Sequence, residues 1–166
     1  MMLSKPVVLI GPMGVGKTTI GKKLARRLEV PFIDTDQLIT AEHGPIPEIF
    51  EQQGEAKFRE FEVATVERAL KESCVIATGG GAVLNGDTQR NLKSSFVVYL
   101  STDGKHMKSR LSHSKRPLLA NGMEDWKRIY EERKPLYERL ADLEIDTSNI
   151  SLSETITLIC EKLESL

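Results

Sequence analysis

A glycine-rich segment that ends in lysine and threonine, running from Gly11 to Thr18, carries the clearest chemistry in this sequence. It reads GPMGVGKT and fits the pattern Gly-x4-Gly-Lys-Thr of loops that wrap nucleotide phosphates. In such a loop, backbone N–H groups point at phosphate oxygens, the lysine reaches the β- and γ-phosphates, and the threonine hydroxyl binds Mg²⁺. The spacing therefore predicts a site for a nucleoside triphosphate with Mg²⁺. It leaves the phosphate acceptor open.

The elements that must hold this loop are a strand before it and a helix after it. Residues 7–10 are apolar and mostly β-branched, which is typical of a strand buried on both faces of a sheet. Residues 17–28 repeat apolar side chains at helical spacing, with Ile20, Leu24 and Leu28 on one face. Strands and helices continue to alternate along the chain, which predicts an α/β fold with a parallel sheet.

The same pattern predicts the remaining elements. Further strands are predicted at 31–33, 75–77, 96–100 and 143–145. Further helices are predicted after the second strand, at 48–70 with a break near Gly54, at 124–140, and at 153–166 with Ser153 as N-cap. Pro135 removes a backbone donor, so it is expected to kink or split the helix that contains it.

Two aspartates, Asp34 and Asp36, follow the second predicted strand. Ligands of parallel sheets bind at the carboxyl ends of the strands, so these carboxylates are expected beside the phosphate loop. In extended backbone both project from the same face, where one can hold a metal-bound water and the other can face a substrate hydroxyl. The alternative for one of them is that it caps the following helix.

Three consecutive glycines, Gly79, Gly80 and Gly81, follow the third predicted strand. A run of three makes the backbone flexible and costly to order, which favours close approach of a ligand to exposed N–H groups. The alternative is a loop in which one glycine must adopt a positive φ. With the aspartates and the phosphate loop, these glycines predict one crevice built from three strand ends.

A basic stretch at 105–116 is predicted to be a mobile lid that closes over the triphosphate and excludes water. Nucleic-acid binding is not favoured, because no aromatic residue is interleaved and the net charge is −1. Its histidines, His106 and His113, are interpreted as surface residues. From their local sequence alone, Arg59 and Arg133 would be solvated helix residues, with Arg59 able to pair with Glu62 along the helix.

The composition predicts one globular domain over residues 1–166. Cys74 and Cys160 lie in or beside apolar segments without metal or disulfide spacing, so we expect reduced, inert thiols. No apolar run reaches membrane-spanning length, and the short apolar N-terminal run leads into the phosphate loop rather than to a cleavage site. A cytoplasmic location is the resulting expectation.

An ordered set of short motifs resembles the shikimate kinase family along nearly the whole chain. The phosphate loop alone is shared with many kinases, whereas the complete ordered set is specific to this family. The motifs are GPMGVGKTT at 11–19, DTD at 34–36, EIF at 48–50, GEAKFRE at 54–60, GGGAV at 79–83, RPLL at 116–119, RKPLYE at 133–138 and DTS at 146–148.

The resemblance implies a P-loop NMP-kinase-like three-layer fold, with a five-stranded parallel sheet flanked by helices, a shikimate-binding region at about 34–62 and a mobile lid at about 109–122. It implies transfer of phosphate from ATP to the 3-hydroxyl of shikimate, a step towards chorismate and aromatic amino acids. Lys17, Asp36 and Arg116 would be catalytic. Nucleotide would be bound by Gly14, Val15, Gly16, Lys17, Thr18, Thr19, Arg110 and Arg116, shikimate by Asp36, Arg59, Gly79, Gly80, Gly81 and Arg133, and Mg²⁺ by Thr18 and Asp34.

Within the resemblance, Arg59 and Arg133 would clamp the carboxylate of shikimate, for which the guanidinium fork is suited. The expected partners are shikimate and ATP, with no nucleic acid or membrane, and the expected state is a monomer. Two alternatives remain: a kinase of similar fold for another small hydroxylated acceptor, such as gluconate or a nucleoside monophosphate, and a catalytically inactive relative that serves as a regulatory module.

Overall fold

A five-stranded, all-parallel sheet forms the middle of the protein in a computed structural model that describes residues 2–111 and 116–166. Its order is β2-β3-β1-β4-β5, so β1 and the phosphate loop that follows it lie at the centre. The strands are β1 (Val7–Ile10), β2 (Phe32–Asp34), β3 (Val75–Ala77), β4 (Phe96–Ser101) and β5 (Leu143–Asp146). The predicted sheet and its parallel pairing are confirmed, with boundaries shifted by one residue at most.

Eight α-helices surround the sheet in the described ranges. They are α1 (Lys17–Leu28), α2 (Thr35–His43), α3 (Ile46–Gln53), α4 (Glu55–Ala69), α5 (Gly86–Asn91), α6 (Met107–Leu111), α7 (Met123–Leu140) and α8 (Leu152–Glu164). Short 3-10 turns occupy Ala82–Leu84 and Leu92–Ser94. None of these helices combines the length and apolar character needed to cross a bilayer.

The helices pack as two layers because successive residues of each strand point to opposite faces of the sheet. Val7 and Leu9 face one core with Leu24 of α1 and Ile159 of α8. Val8 and Ile10 face the other core, where α7 contributes Trp126, Tyr130 and Tyr137. A third, smaller cluster joins α2, α3 and α4 through Ile39, Ile49 and Phe58 beside the site. The predicted three-layer arrangement is confirmed.

Three local predictions need correction. Helix α7 runs unbroken through Pro135 from Met123 to Leu140, so of the two predicted effects of the proline, a kink or a split, the split is wrong. Its buried aromatic face outweighs the loss of one helical hydrogen bond at the proline. The closing helix begins at Leu152 rather than 153, and Ser151 is its cap, accepting a hydrogen bond from the Glu154 N–H at 3.0 Å. Helix α5 was not predicted, since six mostly polar residues carry no apolar repeat.

Candidate active site

The phosphate loop owes its shape to glycines with positive φ angles. Gly11, Gly14 and Gly16 have φ values of +146°, +79° and +110°, which side chains rarely allow. A Cβ on Gly11 would also lie 2.5 Å from the carbonyl oxygen of Leu100. The loop ends where α1 begins at Lys17, so the positive end of that helix faces the concave side of the loop.

Lys17 lies buried within this loop. Its Nζ donates to the carbonyl oxygens of Gly11 at 2.6 Å and Pro12 at 2.9 Å. Burial lowers the pKa of Lys17 to about 7, although the carboxylates of Asp36 and Asp34 act in the opposite direction. The two carbonyl oxygens therefore fix the Nζ atom of Lys17 inside the loop, where its charged form can bind anionic oxygens.

Thr18 and Asp34 bring two oxygens together at the edge of the loop. The Thr18 hydroxyl donates to Oδ2 of Asp34 at 2.5 Å, while Oδ1 accepts from the Gln37 N–H at 3.1 Å and caps α2. Asp36 lies in the first turn of α2, so the predicted extended geometry for both aspartates is wrong. The strand ends two residues before Asp36, because Asp34 is itself the cap of α2.

Asp36 and Glu62 place two carboxylates against Gly79. Oδ1 of Asp36 and Oε2 of Glu62 are buried and have no hydrogen-bond partner within the described residues. Both lie within 3 Å of the point that a Cβ on Gly79 would occupy. Burial raises the pKa of each carboxyl group above its ordinary value. Two buried acids, each with an oxygen that has no partner within the described residues, therefore face the same wall of the site, where a hydroxyl can donate to them.

The two arginines lie beside the other glycines. Arg59 donates from Nη1 to Oε1 of Glu62 at 2.8 Å, which confirms the predicted pairing, and from Nη2 to Oε2 of Glu55 at 3.2 Å. A Cβ on Gly81 would lie 2.5 Å from Nη1 of Arg59. Arg133 is 8% exposed, and its Nη1 lies 3.4 Å from the Cβ position of Gly80. The interpretation of these arginines as solvated surface residues is wrong.

Space, rather than backbone conformation, explains the three glycines. None of Gly79, Gly80 and Gly81 has a positive φ, so that alternative is wrong. Their missing side chains instead leave room for the carboxylates and guanidinium groups that pack against them. The prediction was that a ligand approaches this backbone closely. In the structure, charged side chains of the protein itself approach it closely.

Two basic residues come from the segment predicted to be a lid. Arg110 of α6 donates to the carbonyl oxygens of Gly14 at 3.2 Å and Val15 at 3.4 Å, next to the phosphate loop. Arg116 lines the same cavity. Burial lowers the pKa of Arg116, although the negative charge of Asp36 acts in the opposite direction. His106 is exposed as predicted, whereas residues 112–115, which include His113, lie outside the described residues.

A single cavity of about 860 Å³ connects these parts. All of the predicted site residues line it. They are Gly14, Val15, Gly16, Lys17, Thr18, Thr19, Asp34, Asp36, Arg59, Gly79, Gly80, Gly81, Arg110, Arg116 and Arg133. Cys74 and Cys160 are free, buried and outside it, as expected for inert thiols.

Helix α7 adds two contacts that the motifs do not reveal, although one motif, RKPLYE, contains Tyr137. The indole N–H of Trp126 donates to the carbonyl oxygen of Met13 in the phosphate loop at 2.8 Å. The hydroxyl of Tyr137 donates to the carbonyl oxygen of Gly80 at 2.6 Å. A signal for both was present in the sequence, because Trp126, Tyr130, Arg133 and Tyr137 repeat at the spacing of one helix face.

Comparison with known proteins decides the family. The family model described as "Shikimate kinase" matches residues 13–164. The chain belongs to the shikimate kinase family. The shikimate kinase of Streptomyces coelicolor is 41% identical over 162 residues, which cover 95% of each chain. The shikimate kinase of Hahella chejuensis is 44% identical over 151 residues, covering 87% of this chain and 79% of that protein.

Solved structures agree with this assignment to the shikimate kinases. The Acinetobacter baumannii shikimate kinase in complex with shikimate has a TM-score of 0.92 at 35% identity, covering 97% of this chain and 93% of that one. The enzyme of Aquifex aeolicus has a TM-score of 0.82 at 34% identity, covering 96% of each. A gluconokinase from Sinorhizobium meliloti, with a TM-score of 0.67 at 17% identity, shares the fold alone.

The activity follows from this membership. The chain is a kinase that transfers phosphate to an alcohol group, and its reaction is the ATP-dependent phosphorylation of shikimate in aromatic amino-acid biosynthesis. Enzymes of this family use ATP together with a divalent metal ion.

Proposed function

We propose that this shikimate kinase carries both substrates in the 860 Å³ cavity, with ATP at the phosphate loop and shikimate between Gly79–Gly81 and the two arginines. The observation that carries the proposal is the convergence of Arg59 and Arg133 on the same cavity as Lys17. A cation-lined pocket fits a carboxylated acceptor, and the phosphate loop opposite it fits the donor.

On the donor side, the oxygens of Thr18 and Asp34 fit Mg²⁺. This hard cation takes oxygen ligands and is usually held by one or two carboxylates together with substrate phosphates. When bound, the ion neutralises phosphate oxygens and helps to align the γ-phosphoryl group. The N–H groups of residues 14–19 cradle the phosphates, and Lys17 contributes its charge where the phosphoryl group leaves.

On the acceptor side, Arg59 and Arg133 bind the shikimate carboxylate. Glu62 and Glu55 already orient the Arg59 guanidinium, so little side-chain entropy is lost on binding. The unpartnered carboxylate oxygen of Asp36 accepts a hydrogen bond from a ring hydroxyl. The resemblance to a shikimate-bound relative at 35% identity supports the same placement of the ring here.

Asp36 acts mainly by holding the attacking 3-hydroxyl in line with the γ-phosphate. Phosphoryl transfer passes through a loose transition state, so positioning and charge neutralisation matter more than a strong base. The raised pKa of Asp36, caused by burial and by Asp34, also equips it to accept the hydroxyl proton once that proton becomes acidic. Arg116 supports the transferring phosphate, and Arg110 lies at the nucleotide end beside Gly14.

The decisive assay measures ADP release by the purified protein with ATP and Mg²⁺. Shikimate should support turnover, whereas gluconate, nucleoside monophosphates and quinate should support little. The Asp36→Asn variant is the control, because loss of its activity shows that turnover belongs to this site. A protein that binds both ligands without releasing ADP is instead the inactive relative. Turnover with gluconate in place of shikimate would favour the other acceptor.

The single domain, the monomeric state and the cytoplasmic location stay predictions. Sedimentation of the purified protein tests the monomeric state, since one 18.6 kDa species is expected. Thermal or denaturant unfolding tests the single domain, since one cooperative transition is expected. Cell fractionation tests the third.

A further inference from the structure

One face of helix α7 contacts both the phosphate loop and the loop that contains Gly79–Gly81. Trp126 and Tyr137 are eleven residues apart, which places them within about 20° around the helix axis and about 16 Å apart along it. Trp126 is hydrogen-bonded to the phosphate loop, and Tyr137 is hydrogen-bonded to the loop that contains Gly79–Gly81. Both side chains are buried, at 3% and 0% exposure.

The two contacts share one stereochemical consequence. Each is made to a backbone carbonyl, and in a trans peptide the next N–H points in the opposite direction. Binding the carbonyl of Met13 therefore turns the Gly14 N–H away from Trp126. Binding the carbonyl of Gly80 turns the Gly81 N–H away from Tyr137.

The two N–H groups are available to ligands. Within the described residues, the N–H groups of Gly14 and Gly81 take part in no hydrogen bond. Both glycines line the cavity, one in the donor half and the other beside Arg59 in the acceptor half. Glycine peptides rotate easily, so an external anchor is needed to keep such a donor in place. Burial raises the pKa of Tyr137 to about 12, so its hydroxyl stays protonated and remains a donor.

We propose that Trp126 and Tyr137 are positioning residues that fix the peptide planes of the two ligand loops, Trp126 for ATP and Tyr137 for shikimate. Neither side chain needs to touch a substrate. Trp126 acts through the backbone of its loop. Tyr137 acts through the backbone of its loop from a position next to Arg133, whose charge and hydrogen bonding lower the pKa of the Tyr137 hydroxyl against the effect of burial. One helix face thereby sets the orientation of an amide donor in each half of the site. The inference rests on the proposed placement of the two substrates.

Two conservative variants and a matched control test this inference. Tyr137→Phe removes one buried hydroxyl, and Trp126→Phe removes the indole N–H. Tyr99→Phe is the control, because Tyr99 is also 0% exposed and stacks on Tyr137 at 5.2 Å. Among the described residues, its hydroxyl bonds only the Tyr130 hydroxyl. It loses the same atom without releasing a ligand loop.

We expect Tyr137→Phe to raise the KM for shikimate about fivefold, the size of one lost hydrogen bond, with the KM for ATP and kcat within about twofold. Trp126→Phe should raise the KM for ATP by a similar factor and leave the KM for shikimate unchanged. Tyr99→Phe should change neither KM, while lowering the melting temperature about as much as Tyr137→Phe does.

The inference is overturned if Tyr137→Phe and Tyr99→Phe give the same KM values, or if each α7 variant raises both KM values equally. Either α7 variant decides the question if the other fails to fold. Absence of shikimate-dependent turnover in the unsubstituted protein contradicts the proposed function instead. In that case calorimetric ATP affinity of Trp126→Phe still tests the donor half, since weaker binding supports the inference and unchanged binding refutes it.

Discussion

Two glycine-rich loops follow neighbouring parallel strands of this protein and use glycine for different reasons. The phosphate loop after β1 needs glycine for conformation, with positive φ values at Gly11, Gly14 and Gly16. The loop after β3 has ordinary φ values and needs glycine for space, because Arg59, Asp36 and Glu62 occupy the volume of the missing side chains. The donor loop therefore takes most of its shape from its own backbone conformation, with one outside contact from Trp126, whereas the acceptor loop is packed against charged side chains from distant segments.

The different roles of glycine in the two loops predict how substitutions in each half of the site impair substrate binding. A change in the donor loop acts through local backbone strain and phosphate binding. A change in the acceptor loop acts through the charged side chains that it displaces. The two halves are expected to respond separately, so each variant should affect one substrate more than the other.

The largest effect is expected from Arg133→Ala. If Arg133 is part of the proposed carboxylate clamp, its removal should cost about 2–5 kcal/mol in shikimate binding, because the carboxylate then loses one of its two charged partners. ATP affinity should stay nearly unchanged. Steady-state kinetics with each substrate varied in turn will measure the split. Weakened ATP binding with normal shikimate KM would contradict the assignment of Arg133 to the acceptor half.

Lys17→Met is expected to give the complementary result. If Lys17 stabilises the transferring phosphate as proposed, its loss should lower kcat about 10²- to 10³-fold. Shikimate binding, measured by calorimetry without nucleotide, should remain within about twofold of the unsubstituted protein. Methionine has a similar length, so the buried volume is kept. A large loss of shikimate affinity would show that the halves are not separable.

Gly81→Ala tests the spatial role of the acceptor glycines. Its Cβ should push Arg59 aside and weaken shikimate binding by about 1–3 kcal/mol. Because the clash is with Arg59, the double variant Gly81→Ala/Arg59→Ala should bind shikimate no worse than Arg59→Ala alone.

Gly16→Ala is the contrasting variant in the donor loop. Of the residues that the structure describes, its Cβ would meet only Ile20, at 3.6 Å, which is an ordinary contact. The φ of +110° nevertheless strains alanine there by about 1–3 kcal/mol. No side-chain truncation should relieve that cost, measured as lost ATP affinity. If Ile20→Ala restored the ATP affinity of Gly16→Ala, the cost would come from a side-chain clash, and the two loops would not need glycine for different reasons.

The smallest effect is a proton taken up when ATP binds. With a pKa of about 7, Lys17 is mostly neutral at pH 8 in the ligand-free protein, and phosphate oxygens raise its pKa. ATP binding at pH 8 should therefore take up roughly one proton per site, measured by calorimetry in buffers of different ionisation enthalpy. Shikimate binding should take up fewer protons than ATP binding does. If Lys17→Met takes up as many protons on ATP binding as the unsubstituted protein, Lys17 is not the group that is protonated.

The same pKa sets the sign of a stability change. Lys17 has a pKa near 10.5 when unfolded and about 7 when folded, so the unfolded chain binds more protons between these values. The contribution of Lys17 to the free energy of unfolding should therefore rise as pH increases from 7 to 10.5. Lys17→Met should flatten this part of the stability profile.

The donor half could be predicted from sequence because its determinants are contiguous. An apolar strand, a glycine pattern and the helix beginning at Lys17 are all local, and the structure reproduces their boundaries. The two aspartates were placed correctly at the end of β2. Their backbone was not, since choosing which one caps α2 depends on where the strand stops.

The acceptor half was harder because its residues are brought together by tertiary packing. Arg59 and Arg133 lie on separate helices whose local sequence is typical of solvated surfaces, so only the family motifs singled them out. The helical spacing of Trp126 and Tyr137 places them on one face of α7 but does not identify the backbone carbonyls of other loops to which they donate. The continuity of α7 through Pro135 likewise depends on the aromatic face that it buries.

The hydrogen bond from Trp126 to Met13 also has an optical consequence. Trp126 is the only tryptophan in the chain, and its indole lies against the donor loop rather than the acceptor loop. Ultraviolet emission excited at the red edge of protein absorption therefore comes from one known place. Fluorescence of the unlabelled enzyme can follow nucleotide arrival in rapid-mixing experiments and separate it in time from the chemical step.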